Sequence, residues 1–203
     1  SLMLSRKKQP RQGTVLSIGS TKQLLKFPSV VMILLFSSAA FGVFLAILPA
    51  YMHDKSISES NIEMLFFIFG ASRLFFLLLS NVLVKRLLTS LVLITLSIAI
   101  GMLIVFYSGT LEQFSIAALI LGFGFSVYFP LTFEIIMRKA KENAGALIGA
   151  YEATFGIGWA LGPLIAGIIA NAFGNEIPYL ILFISGLFVS GFVLYRKKEA
   201  HIV

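Results

Sequence analysis

Six apolar runs, each close to the ~20 residues an α-helix needs to cross about 30 Å of hydrocarbon, constrain this chain more than any other feature. They fall at Phe27–Met52, Asn61–Val84, Leu87–Tyr107, Gln113–Ile136, Gly145–Phe173 and Pro178–Tyr195. Lipid offers backbone N–H and C=O groups no partners, so runs of this length dictate helices that satisfy themselves. Hydrophobic residues make up 58% of the chain and charged residues 12%, against about 45–50% and about 25% in soluble domains. The expected fold is all-α and integral to the membrane. It divides into a basic connector at 1–26, a six-helix transmembrane domain at 27–195 and a tail at 196–203.

Charge placement orients the helices. With six alternating spans, fourteen of the sixteen Lys and Arg residues fall on one side: the connector's six, Lys85, Arg86, Arg138, Lys139, Lys141, Arg196, Lys197 and Lys198. The opposite loops hold Lys55 beside Asp54, Glu59, Glu112 and Glu176. Basic loops mark the cytoplasmic side, so both termini are expected there, with the protein in the cell membrane. Tyr51, Tyr107 and Tyr179 fall at the outer helix ends, where an interfacial belt is expected. The net charge of +7 is a topology signal, and no nucleic-acid partner is expected.

Catalytic chemistry is poorly supplied. The chain has no cysteine, and its two histidines, His53 and His201, fall in a loop and the tail. Serine–histidine pairs at membrane depth and His/Cys metal sets are therefore absent from the sequence. GIGWALGP lacks the Lys and Ser/Thr that a phosphate loop places after its glycines. No enzyme activity, cofactor or metal is expected.

Charges at membrane depth are costly and tend to face a cavity or a partner. Arg73 lies about 18 Å from the cytoplasmic edge at Lys85, and Glu152 about 16–17 Å from Lys141, at 1.5 Å per helical residue. The two therefore share a depth near the midplane. Either Glu152 takes a proton or a cationic group while Arg73 serves as counter-ion or holds an anionic one, or the two form a permanent packing pair. Glu134 lies one turn before Arg138 and is expected to bridge to Lys85 or Arg86 near the cytoplasmic surface.

Small residues crowd the fifth run. Gly158, Gly162, Ala166 and Ala170 recur every four residues, Gly145 and Gly149 precede them, and Pro163 and Gly167 interrupt or follow. Membrane helices pack closely along such residues. Pro49, Gly122, Gly124 and Pro130 loosen the first and fourth runs, where neighbouring helices can satisfy the freed backbone.

The stretch Gly158-Trp-Ala-Leu-Gly162-Pro163-Leu-Ile-Ala166-Gly167 resembles the GxxxGPxxGG motif of the major facilitator superfamily, with Ala166 replacing one glycine. That motif is best known in the fifth helix of antiporters. Ser80-Asn81-Val-Leu-Val-Lys85-Arg86 is similar to a degraded form of the family's loop between second and third helices, with Asn81 in place of the acid. The resemblance implies half of a twelve-helix bundle, the carboxyl-terminal half, rocking against a second half around a midplane substrate. It implies roles for Gly158, Gly162, Pro163 and Gly167 in packing and bending between halves, a surface that the small residues Gly145 and Gly149 extend. Asn81, Lys85, Arg86 and Glu134 would form a cytoplasmic gate, and Arg73 and Glu152 the substrate or proton path.

The expected function is secondary active transport of a small solute, with proton-coupled efflux as the finer expectation. The expected partners are that solute, the bilayer and the second half. The alternative is a non-transporting scaffold or receptor that binds a partner through the small-residue face.

Overall fold

The computed structural model describes residues 24–79, 87–139 and 144–196. They form α1 (Pro28–Asp54), α2 (Glu59–Leu78), α3 (Leu87–Tyr107), α4 (Leu111–Lys139), α5 (Ala144–Phe173) and α6 (Ile177–Tyr195). All six are long and apolar enough to span a membrane. The connector up to residue 23, the tail from residue 197, and Asn81, Lys85 and Arg86 lie outside the described residues. So do residues 80–84, the last part of the expected second run.

Local chemistry sets the helix ends. Pro28 opens α1 in its first turn, where the missing N–H has no intrahelical partner to lose. Ser56, at φ 60°, closes α1: its N–H donates to the His53 carbonyl at 2.9 Å and Ile57 N–H donates to Met52 at 3.1 Å. This pair of reversed bonds is a Schellman ending. At α4, Gln113 Oε1 accepts from the N–H groups of Gly109 (2.8 Å) and Thr110 (3.3 Å), half of a capping box. Gly174, at φ 109°, ends α5, and Pro178 restarts the chain within the first turn of α6.

Close approach of backbones organises the packing. The main pairings are α1 with α5, α3 with α6, and α4 with both α2 and α3. Where α1 crosses α5, a Cβ added to Gly162 would lie 2.7 Å from the Ala39 backbone, and one on Gly42 would lie 2.7 Å from the Trp159 carbonyl. Pro163 cannot donate to that carbonyl, four residues earlier, and Gly42 lets α1 lie directly against it. Gly122 faces Ser72 of α2, whose Oγ donates to the Leu119 carbonyl at 2.9 Å. Ser190 of α6 donates to Thr95 Oγ1 of α3 at 2.8 Å.

The expected tyrosine belt is only partly present. Tyr107 is exposed, but Tyr51 and Tyr179 are buried against each other with ring centroids 5.6 Å apart. Tyr51 Oη donates to the Phe106 carbonyl at 3.0 Å. This satisfies the phenol at the end of α3, so burial costs no hydrogen bond and the ring packs inward rather than toward headgroups.

Coverage is unequal. Only 17% of the apolar window is buried in α2 and in α5, against 56% in α1, 50% in α3, 61% in α4 and 33% in α6. The two least covered helices both border the cavity described next.

Candidate functional site

A cavity of about 330 Å³ opens between four helices at the depth of Arg73. Phe41 of α1 and Phe155 of α5 stand on its walls, and Arg73, Leu74 and Leu77 come from α2. The remaining wall is the middle of α4, with residues between Phe125 and Pro130. Pro130 has no N–H for the Ser126 carbonyl, so that carbonyl lacks its usual intrahelical donor.

Arg73 is held by aromatic faces rather than by an acid. Its guanidinium carbon lies 4.8 Å from the Phe41 ring centroid and 5.6 Å from that of Phe69, within the range of cation–π attraction. Its Nε is buried and has no hydrogen-bond partner. Phe69 packs in turn on Phe44, 4.6 Å between centroids, and Phe41 on Phe125 at 5.1 Å.

Glu152 lies on the uncovered side of α5, one turn before Phe155. It forms no ion pair with Arg73, so the permanent packing pair is not what the structure holds. Tyr151, beside Glu152, turns inward: its hydroxyl shares a hydrogen bond of 2.7 Å with Thr132 Oγ1 and donates to the Phe129 carbonyl at 3.2 Å. These bonds tie α5 to α4 beside Pro130.

The chain places the other singled-out residues on different faces of α5 and α4. Gly158 and Gly162 pack on Ser38 and Ala39 of α1, and Pro163 lies against Gly42. Their close contact is inside this six-helix unit. Gly145, Gly149 and Gly167 have open space where a Cβ would stand, as does Gly156. Gly149 precedes Gly158 by nine residues, about 180° around a helix at 100° per residue, so the two cannot share a surface. Glu134 Oε1 accepts from Arg138 Nε at 2.9 Å within α4, one turn away; its expected partners Lys85 and Arg86 lie outside the described residues.

The family model of the Major Facilitator Superfamily matches residues 30–202. The chain belongs to that superfamily. Its members are transporters rather than enzymes, and the six helices fit one half of the superfamily's bundle. Among curated proteins, none matches the chain.

Sequence reading named Arg73 but missed the aromatic shell around it. The signal was present in the run Phe123–Phe133, which holds five aromatic residues. Phe125 and Phe129, four residues apart, share a helical face with Tyr128 and reach the cavity together.

Proposed function

We propose that the chain is one half of a secondary transporter that moves a small solute by alternating access, with the Arg73 cavity on the solute path. The observation that carries this reading is an intramembrane cation with an unpartnered buried Nε in a cavity. A charge at this depth costs several kcal/mol by most estimates, about 2.5–3.5 on insertion scales, and a purely structural arginine would be given an acid or a carbonyl. Open faces on α2 and α5 support docking of a second six-helix half there, along Gly145, Gly149 and Gly156. Glu152, uncovered on that side, is the proton carrier of the proposed coupled efflux. Basic loops support a cell-membrane protein with both termini in the cytoplasm.

The scaffold alternative loses its main support. It relied on Gly162 as a free docking surface, and Gly162 is occupied by Ala39.

This chain has no cysteine, so once any cysteine elsewhere in the full-length protein is replaced, one thiol introduced here reports access without background. Leu74 lines the cavity and is exposed. In sealed vesicles, Leu74→Cys in the full-length protein is expected to react with a membrane-impermeant thiol reagent from either side, with each side's labelling depleting the other's. Reaction from one side only, under all conditions, contradicts alternating access.

A further inference from the structure

The geometry points to a substrate class: an organic monoanion carrying its carboxylate on an aromatic body. This rests on the transporter reading and deepens it. The charge requirement comes from Arg73. Phe41 and Phe69 cover the guanidinium by cation–π contact, which leaves the in-plane donors to seek an acceptor, and Nε has none in the protein. A carboxylate fits a guanidinium edge with two parallel charge-assisted hydrogen bonds. A neutral amide would supply one acceptor without charge, and a cation would be repelled.

Valence follows from what else lines the space. Arg73 is the single charged residue on the described walls, so one negative charge is matched and a second is not.

The aromatic body follows from the opposite wall. Phe125, Tyr128 and Phe129 of α4 face Phe41 and Phe155 around the cavity. Phe129 meets Phe155 edge-on, with centroids 5.8 Å apart and planes at 87°. An aryl ring among such faces gains edge-to-face contacts that an alkyl chain of equal area does not. The volume of about 330 Å³ sits at the small end of ligand sites, ~300–1,000 Å³, and suits one ring and its carboxylate.

Three small probes separate these requirements: benzoate (ring and charge), benzamide (ring alone) and acetate (charge alone). The readouts are thermal unfolding and titration calorimetry on the purified full-length protein in detergent. Benzoate is expected to raise the unfolding temperature in a concentration-dependent way, with benzamide and acetate giving little or no shift. Arg73→Gln is expected to weaken benzoate binding about 10- to 100-fold, the scale of a lost charged hydrogen-bond pair. Should Arg73→Gln fold poorly, Phe155→Leu provides the second variant: it leaves the charge and is expected to narrow the preference for benzoate over acetate. An equal shift from benzamide or from acetate overturns the inference, and so does the absence of any benzoate shift with the native protein. Neither result touches the transporter reading, which the two-sided labelling at position 74 decides separately.

Discussion

Replacing Gly162 with leucine is expected to prevent the six-helix unit from folding, while Gly149→Leu on the same helix leaves it intact. At Gly162 even a Cβ would come within 2.7 Å of the Ala39 Cα and carbonyl oxygen. Backbone atoms cannot step aside as a flexible side chain can, so α1 and α5 must separate. Overpacking of this kind costs about 1–3 kcal/mol and more where the backbone is the obstacle, a large share of the ~5–15 kcal/mol that holds a domain together. At Gly149 an added Cβ meets nothing within 4 Å in this unit, so a side chain can leave the helix without displacing backbone. Size-exclusion profiles and thermal unfolding in detergent are expected to show aggregated or absent Gly162→Leu protein and a native-like profile for Gly149→Leu. Gly149→Leu should nevertheless lose the two-sided labelling at position 74, because its open face is where the second half is proposed to dock. Equal folding of the two variants would contradict the packing described for α1 and α5.

Neutralising Glu152 is expected to remove pH from the transport cycle. An ionised carboxylate on the face proposed to close against a second half must be desolvated or protonated as the halves meet, and protonation is the cheaper route. Exchange between the two open states should therefore be faster at low pH in the native protein. Gln cannot ionise and mimics the protonated acid. With Glu152→Gln, labelling of Leu74→Cys from both sides should proceed at the fast, acid-like rate across the whole pH range. A pH dependence unchanged from the native protein would remove Glu152 from the coupling step.

The six helices were legible because hydrocarbon thickness fixes a run length and the runs stand clear of polar loops. Leu87–Tyr107 is recovered residue for residue, and the other described ends move by a few positions through capping. Arg73 was legible too, since an intramembrane arginine has few bland explanations. Two things were not. The i,i+4 glycine spacing in α5 announces close packing without saying which helix provides it, so Gly158 and Gly162 were grouped with Gly145 and Gly149 although α1 takes one pair and leaves the other open. Tyr51 and Tyr179 stand where an interfacial belt would be, yet the Phe106 carbonyl at the end of α3 lets the Tyr51 phenol turn inward. Both depend on tertiary neighbours that one-dimensional spacing does not carry. Glu134 accepts from Arg138, four residues along its own helix, at 2.9 Å, an exposed pair of a kind that contributes only about 0.3–0.5 kcal/mol; its expected partners Lys85 and Arg86 lie outside the described residues.

The central claim is that the side of the unit holding Arg73, Glu152 and the open glycines of α5 meets protein and a solute path rather than lipid. Spin labels attached at Gly156→Cys on α5 and Phe188→Cys on α6 test it most directly. Phe188 is exposed on α6, which contributes no residue to the cavity wall, and serves as the lipid-facing reference. In the full-length protein in bilayers, the label at 188 should collide freely with oxygen, which concentrates in hydrocarbon. The label at 156 should be shielded from oxygen or, in the open state, reached by a water-soluble nickel chelate. Matching oxygen access at both positions would mean that lipid covers this face and would contradict the account.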